Sequence, residues 1–244
     1  SSDLKFHAPA GPVIGFEALL RWQHPKQGLL PPDLFLPLAE KTGLIIPIGN
    51  WVIDEACRQL REWHLQGHTD WSMAVNLSTL QFEQPSLVKT VLDCLTRHSV
   101  PPGMLILEVT ETTAMSNPDE SVRVLTALTD AGVKASIDDF GTGYSSLLYL
   151  KRLPACELKI DRAFVKELSG ESEDATIVSA IIALAKTLNL KVVAEGVETA
   201  AQQTFLTELG CNTLQGYLLG KPITAQAIME QCQHGEMSPS RMQS

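Results

Sequence analysis

The chain alternates short apolar runs with longer segments in which apolar residues recur every three or four positions. Runs of the first kind predict strands, and eight candidates cover residues 4–7, 13–20, 73–77, 104–110, 133–138, 157–160, 191–195 and 213–218. The middle runs are apolar at both odd and even positions, which is typical of strands buried on both faces. The pattern therefore favours a largely parallel sheet with helices packed around it.

Helices are predicted between these strands. The spacing of Ile53, Cys57 and Leu60 indicates one buried helical face, and that of Ile177, Ile181, Leu184 and Leu188 indicates another. Capping signals mark three helix starts, namely Asn117-Pro118 with Glu120, Ser78 with Gln81, and Thr199 with Gln202. Gly67, Gly132 and Gly210 stand near helix ends, where a left-handed residue is often needed.

Eight strand and helix units in 244 residues favour one α/β domain, a (β/α)8 barrel of the TIM type. The first strand of this barrel could be irregular or clipped. The main alternative architecture is an open doubly wound sheet. We divide the chain into an N-terminal segment with a partial first strand (1–12), the barrel (13–233) and a C-terminal tail (234–244). Since the chain starts at Ser1-Ser2 without a methionine, we expect it to be a piece of a longer protein.

Composition narrows the function classes. With 19 basic and 28 acidic residues the net charge is −9, which argues against binding a nucleic-acid polymer. The five cysteines are odd in number and lack CxxC spacing, so a reducing compartment is expected. No apolar run reaches the ~18 residues of a membrane span. We therefore expect a cytoplasmic domain, although the full-length protein could be membrane-anchored.

Polar residues stand near the carboxyl ends of seven of the eight predicted strands. They are Glu17, Asn76, Glu108, Asp138 with Asp139, Lys159, Glu195 and Gln215. A barrel gathers these ends on one face, where barrel enzymes carry their active sites. Carboxylate and amide oxygens without imidazole or thiolate suit Mg2+ or Mn2+. Two such ions about 3.5–4 Å apart would offset the crowded charge and form a phosphoester-hydrolysis site.

Taken singly, each of these residues has a plainer explanation. A glutamate at a strand end is usually solvated, Lys159 and Asp161 could form a structural ion pair, and Asp138-Asp139 could be only a turn. Lys159 could also be a Schiff-base nucleophile, but nearby aspartates would keep it charged. Phe16, Trp22 and Trp51 are expected in the core. It is the shared position of seven polar groups that favours a site.

The ordered motifs resemble those of the EAL domain family. They are Glu17-Ala18-Leu19-Leu20-Arg21-Trp22, Val75-Asn76-Leu77-Ser78, Leu107-Glu108-Val109-Thr110-Glu111, Asp138-Asp139-Phe140-Gly141-Thr142-Gly143, Leu158-Lys159-Ile160-Asp161, Ala194-Glu195-Gly196-Val197-Glu198 and Gln215-Gly216-Tyr217. This resemblance implies a (β/α)8 barrel that hydrolyses cyclic di-GMP to linear 5′-pGpG with Mg2+ or Mn2+, two ions per site. Because Ca2+ is larger and prefers more ligands at longer distances, we expect it to inhibit. The resemblance also implies a homodimer, and fusion to sensory or other signalling domains.

Residue roles follow from the resemblance, motif by motif. The implied metal ligands are Glu17, Asn76, Glu108, Asp138, Asp139 and Glu195. The implied catalytic residues are Glu17, Lys159, Glu195 and Asp161, with Lys159 holding the attacking water and Asp161 orienting Lys159 or that water. The implied substrate contacts are Leu20, Arg21, Gln215 and Pro222, and Glu111 and Glu198 would brace the loop 139–147. The family usually has Gln-Pro in its first strand, so its absence here predicts the loss of one guanine contact.

Two other functions stay open. One is a catalytically silent receptor that binds cyclic di-GMP, although such members usually lose metal ligands or the loop sequence. The other is an unrelated metal-dependent barrel enzyme with enolising or aldol chemistry.

Overall fold

The computed structural model describes residues 2–8, 11–143, 147–168 and 172–233. Eight strands close into a barrel in the order β1-β10-β9-β8-β7-β6-β5-β2. These strands are β1 (Ser2–His7), β2 (Val13–Ala18), β5 (Ser72–Leu77), β6 (Leu105–Thr110), β7 (Lys134–Phe140), β8 (Glu157–Ile160), β9 (Lys191–Ala194) and β10 (Thr213–Leu214). Closure rules out the open doubly wound sheet, and all eight predicted strands are present.

Helices surround the barrel and connect its parallel strands. They are α1 (Leu36–Thr42), α2 (Ile45–Leu65), α3 (Thr79–Phe82), α4 (Leu87–His98), α5 (Glu111–Ser116), α6 (Pro118–Asp130), α7 (Leu147–Leu150), α8 (Arg162–Lys166), α9 (Glu173–Thr187), α10 (Ala200–Glu208) and α11 (Ala225–Gln233). The three predicted caps form, because Ser78, Asn117 and Thr199 each accept a hydrogen bond from the backbone N–H three residues later. Among the described residues, no helix combines the length and the apolar character needed to cross a membrane.

The first strand is the irregular one. β1 runs antiparallel to both of its neighbours, β2 and β10, whereas the other barrel pairs are parallel. Only five residues separate β1 from β2, too few for the crossover that parallel strands need, and the two strands pair antiparallel. Since β1 pairs on both sides, it closes the barrel. Its amino end therefore lies beside the carboxyl ends of the other strands.

The pairing of β7 with β8 contains a second irregularity, at the predicted aspartate pair. The register shifts between Ile137 and Phe140, and Asp139 has a φ of 53°. A left-handed residue other than glycine is uncommon and costs free energy, and such positions concentrate at functional sites. This bulge lets two consecutive residues, Asp138 and Asp139, both contribute to the same end of the barrel.

Apolar packing lies mainly between barrel and helices. Phe16 of β2 is fully buried against Trp63 of α2 and against Trp71, with ring centroids 4.6 and 4.8 Å away. The expectation of core positions for Trp22 and Trp51 is wrong, since they are 43% and 58% exposed. Trp22 belongs to a small hairpin, β3 (Trp22–His24) with β4 (Gly28–Leu30), which the sequence pattern did not indicate.

The helical periodicity was correct for α2 and shifted for α9. Ile53, Cys57 and Leu60 are fully buried, as expected. In α9, however, Ile177 is exposed, and the face that packs on the barrel is formed by Ala175, Val178, Ile181, Ile182 and Ala185. Nearly every position of this helix is small or apolar, so the sequence alone did not single out the buried face.

Candidate active site

A buried lysine stands at the centre of the barrel mouth. Lys159, near the end of β8, is fully buried, and its Nζ lies within ion-pair distance of carboxylates from four other chain segments. The distances are 3.4 Å to Glu17 Oε2, 2.9 Å to Glu108 Oε2, 3.1 Å to Asp138 Oδ2 and 2.7 Å to Glu195 Oε1. The barrel thus collects predicted residues that lie far apart in the sequence.

Amide side chains hold Glu17 in place. Asn76 Nδ2 donates to Glu17 Oε1 at 2.7 Å, and Gln215 Nε2 donates to Glu17 Oε2 at 2.7 Å. Gln215 Nε2 also reaches Asp3 Oδ2 at 3.0 Å. Asn76 is exposed at the mouth, whereas Gln215 is buried. These contacts order Glu17 before any ligand binds.

Three carboxylates from the far side of the mouth converge. One oxygen each of Asp138, Asp139 and Glu195 lies within 4.8 Å of the others. Asp138 Oδ1 accepts a hydrogen bond from the N–H of Asp139 at 2.9 Å, which couples the pair across the bulge. Such an arrangement can hold a divalent cation.

Burial and charge act against each other in this cluster. Burial and the neighbouring carboxylates raise the pKa of Glu195 to about 8 and that of Glu108 to about 7, although Lys159 opposes both shifts. Burial and Asp138 raise the pKa of Asp139 to about 6. Burial disfavours the charged form of Glu17 too, but Lys159 and Lys5 outweigh it and lower its pKa. The cluster carries more negative charge than its two lysines offset.

Lys159 itself stays charged. Burial alone would lower its pKa, but Glu108, Glu17 and Glu195 raise the pKa well above the ordinary value. A Schiff-base nucleophile needs a lowered pKa. The surroundings of Lys159 therefore favour a cationic hydrogen-bond donor over a nucleophile.

The predicted substrate-binding residues lie around the mouth. Leu20 helps to line a cavity of about 540 Å³ that also touches Asn76 and Asp139. Arg21 lines an adjoining cleft of about 230 Å³, and its Nη1 donates to the Leu20 carbonyl at 2.8 Å. Pro222 is half-buried beside Ile223, whose backbone pairs with Ser2 of β1. The mouth thus opens onto space of a size typical of small-molecule sites.

The two predicted bracing residues differ. Glu111 is buried, and its Oε2 accepts a hydrogen bond from the N–H of Gly141 at 2.8 Å, at the start of the loop 139–147. Glu198 is exposed, and among the described residues its carboxylate makes no hydrogen bond or ion pair. Residues 144–146 of that loop lie outside the described residues.

Asp161 lies beside the cluster without touching its centre. Its Oδ1 accepts from the N–H of Ala163 at 2.7 Å and so caps α8. Its carboxylate adds to burial and to Asp138 in raising the pKa of Asp139. Within the described part of the chain it makes no hydrogen bond or ion pair with Lys159, so it stands at the edge of the candidate metal site.

Sequence reasoning missed two residues of β1. Asp3 contacts Gln215 at the mouth, and Lys5 is fully buried with its Nζ 2.7 Å from Glu108 Oε1. A usable signal was present, because the charged Asp3 and Lys5 alternate with the apolar Leu4 and Phe6 and therefore face the same side of the strand. Only the pairing register, which sets Asp3 opposite Glu17 of β2, shows that this side is the barrel interior.

The donor set fits divalent cations that prefer oxygen ligands. Carboxylates and one exposed amide surround the mouth, and within the described residues no thiolate or imidazole approaches Lys159 or the four carboxylates around it. Among the residues that the structure describes, none gives the buried Gln215 Oε1 a hydrogen-bond partner. Buried polar atoms are rarely left without partners, so this oxygen marks a place for a further donor or a cation.

Fold and site together define a barrel protein with an acidic mouth, whose carboxylates could hold a metal ion. The EAL domain family matches residues 6–222, and the chain belongs to that family. The chain is 65% identical over 225 residues to the bifunctional diguanylate cyclase/cyclic di-GMP phosphodiesterase MucR of Pseudomonas aeruginosa, covering 92% of this chain and 33% of MucR. It is 48% identical over 220 residues to the cyclic di-GMP phosphodiesterase NbdA of the same organism, covering 90% of this chain and 28% of NbdA. The chain thus spans about a third of the length of these relatives.

Solved structures share this fold closely. A structure of the PaMucR phosphodiesterase in complex with c-di-GMP superposes with a TM-score of 0.91 at 64% identity, covering 93% of this chain and 92% of the other. The EAL enzyme Bd1971, in a form bound to cAMP and cyclic di-GMP, superposes with a TM-score of 0.88 at 34% identity, covering 94% of this chain and 63% of the other.

Proposed function

We propose that this chain hydrolyses cyclic di-GMP to linear 5′-pGpG and so lowers the level of this second messenger. One observation carries the proposal, namely four carboxylates gathered around the charged Lys159 at a barrel mouth that opens onto a cavity of about 540 Å³. The names of its relatives MucR and NbdA support cyclic di-GMP as the substrate.

The cations are Mg2+ or Mn2+, two in each site. Glu17, Asn76, Glu108, Asp138, Asp139 and Glu195 would hold them. When bound, such ions lower the pKa of a water molecule and offset the charge of a phosphate. Ca2+ is larger and prefers more ligands at longer distances, so Ca2+ that enters the site would misplace the attacking water and inhibit.

The reaction adds water across one P–O3′ bond. The attacking oxygen joins phosphorus while the 3′-oxygen leaves and takes up a proton. Lys159 keeps its charge and donates a hydrogen bond to the attacking oxygen, and Gln215 Oε1 is available as an acceptor beside it. Glu17 is already fixed by Asn76 and Gln215, so little reorganisation is needed when substrate arrives.

Rim residues orient the substrate. Arg21 carries a planar guanidinium that suits bidentate contact with a phosphate. Leu20 and Pro222 offer apolar surface on the rim. Asp161 stands next to Asp139 and positions that carboxylate, while Glu111 anchors the following loop at Gly141.

The cellular setting is part of the same proposal. All five cysteines are free, which suits a reducing cytoplasm. The greater length of the relatives suits fusion to sensory or other signalling domains. The resemblance to the EAL family, whose motif in the loop 139–147 is intact here, supports a homodimer, and sedimentation velocity tests it.

The decisive experiment is turnover of cyclic di-GMP by the purified chain in Mg2+, Mn2+ or Ca2+, followed by nucleotide chromatography. We expect linear pGpG with Mg2+ and Mn2+, and none with Ca2+. Glu17→Ala should abolish the product. Glu120→Gln removes a carboxylate that pairs with Arg123 on the solvent side of α6 and is the matched control, which should retain full activity.

Each other outcome contradicts a stated part of the proposal. Tight binding without product in any metal would mean a receptor. Product formation that survives Glu17→Ala would contradict the assigned mechanism. Trapping of a carbonyl substrate on Lys159 by borohydride would instead indicate an unrelated barrel enzyme.

A further inference from the structure

A second buried lysine, which the proposed mechanism does not use, lies beneath the acidic mouth. Lys5 is 2% exposed and sits in β1 between Leu4 and Phe6, two residues of the apolar core. Its Nζ lies 2.7 Å from Glu108 Oε1 and 3.4 Å from Glu157 Oε1. A buried charge is costly unless it is well paired, so the position of the Lys5 ammonium group points to a role for its two carboxylate partners.

Glu108 is held on both oxygens by different lysines. Lys5 binds Oε1 and Lys159 binds Oε2, at 2.7 and 2.9 Å. The remaining partners of Lys159 are the mouth carboxylates, whereas the other partner of Lys5 is Glu157. Glu157 precedes Lys159 by two residues on β8 and so lies one step deeper in the barrel. Lys5 therefore approaches Glu108 from the interior.

We propose that Lys5 is a positioning residue that restricts Glu108 to one-oxygen ligation and thereby selects small divalent cations over Ca2+. This inference rests on the proposed metal-dependent function. Lys5 contacts Oε1 from the interior, so Oε2, which contacts Lys159, is the oxygen on the side of the mouth carboxylates. Mg2+ requires near-octahedral coordination, whereas Ca2+ readily accepts bidentate carboxylates and more than six ligands. A carboxylate that cannot turn both oxygens to the mouth disfavours the larger ion.

Ion selectivity distinguishes this positioning role of Lys5 from a general charge effect and from a loosening of the fold. Removing a positive charge near the site strengthens binding of every divalent cation by a similar factor. General loosening of the fold weakens binding of all of them. Only a change in how Glu108 presents its oxygens alters the ratio of the dissociation constants for Ca2+ and Mn2+.

The test is a titration of metal-free protein without substrate, with Mn2+ followed by electron paramagnetic resonance and Ca2+ measured by competition. We expect Lys5→Met to shift the ratio of Ca2+ to Mn2+ dissociation constants about tenfold toward Ca2+, the lower end of the range for residues that support metal ligands. Lys5→Gln keeps an N–H donor for Glu108 without the charge and should stay near the wild-type ratio. Glu157→Gln keeps the Lys5–Glu108 contact and is the matched control.

Lys5→Met leaves the buried Glu157 carboxylate without the Lys5 contact and could fold poorly for that reason. A second variant controls for this effect. The double variant Lys5→Met/Glu157→Gln removes that spare buried charge and should show the same shift in ratio. Equal changes for both ions, or a shift as large in Glu157→Gln alone, would overturn the role of Lys5. Absence of Mn2+ binding by the wild type would contradict the metal site itself, and this proposal with it.

Discussion

At the scale of single residues, the mouth is organised by side chains that use both of their polar atoms. Asp138 accepts from the Asp139 N–H with one oxygen and from Lys159 with the other, and it is 6% exposed. Glu17 is likewise held on both oxygens, by Asn76 and by Gln215 with Lys159. Each carboxylate is therefore oriented by its neighbours before a cation arrives.

Asp138→Asn should lower turnover of cyclic di-GMP by at least ~100-fold, the scale expected when a metal site loses a ligand or its support. The amide is neutral and nearly the same shape, so the fold should be retained. Steady-state turnover in Mg2+ together with circular dichroism checks both statements. Near-normal turnover, with Glu120→Gln also unaffected, would exclude a ligand role for Asp138.

The raised pKa values of Glu108 and Glu195 predict a pH dependence of metal binding. The pKa values of the two carboxyl groups are about 7 and about 8, so at lower pH each group carries a proton that a cation has to displace. Mn2+ affinity should therefore rise between about pH 6 and pH 8 and level off above it. Calorimetry at several pH values measures this, and a flat profile would contradict it.

The same shifts predict the opposite trend for the metal-free fold. Glu108 and Glu195 bind protons more tightly in the folded chain than in the unfolded one, so protonation stabilises the folded state. That contribution is present at low pH and is lost as the pH rises through about 7 and 8. Metal-free protein should unfold at a lower temperature at pH 8 than at pH 6, and added Mn2+ should restore the unfolding temperature at pH 8.

At the scale of elements, loops near the mouth are tied down by buried polar side chains. Gln202 at the start of α10 is 5% exposed and accepts from the N–H groups of Glu198 and Thr199. Its amide nitrogen donates to the carbonyls of Val165 and Lys166 at 2.9 and 3.1 Å. One side chain thus joins the end of α8 to the segment that follows Glu195.

Thr199→Ala and Gln202→Met should destabilise the protein to different degrees. Loss of the Thr199 cap costs about 1 kcal/mol. Gln202→Met removes the hydrogen bonds to four backbone groups, of which the Val165 carbonyl is buried and the other three are partly buried, and should cost about 2–3 kcal/mol. Urea unfolding of both variants measures the order, and a smaller cost for Gln202→Met than for Thr199→Ala would contradict the bridging role.

Much of the element pattern was predictable, and the misses have physical causes. Strand positions follow from local burial on both faces, and caps follow from local hydrogen bonds, so both are visible in sequence. The hairpin β3–β4 is a surface element, with Trp22 and Leu29 exposed at 43% and 63%. Because apolar residues are expected in the core, the sequence pattern wrongly predicted that Trp22 is buried.

At the scale of the whole molecule, β1 is the element that completes both the barrel and the site. It pairs with β2 and β10 and brings Asp3 and Lys5 to residues far along the chain. Lys5 and Glu108 are 103 residues apart in sequence. Closure of the barrel by β1 therefore both stabilises the fold and brings two charged side chains to the candidate site.

A chain that lacks residues 1–8 should fail to form the closed barrel. Its β2 and β10 would expose unpaired backbone edges, and unpaired edges promote aggregation. Buried contacts of Leu4 and Phe6 would be lost as well. Size-exclusion chromatography and binding of a hydrophobic dye should show aggregates, with Leu29→Ser in the exposed hairpin as a control that stays monodisperse. A well-behaved truncated barrel would contradict the closing role of β1.

By itself, the sequence determined the alternation of strands and helices and the set of polar residues at the strand ends. Those properties depend on local periodicity and on the residue types beside each apolar run. Only the tertiary structure decided the direction of β1, the bulge at Asp139 and the grip of two lysines on Glu108. These depend on barrel closure, because the side chains that meet at the mouth are separated by tens to hundreds of residues and share no local pattern.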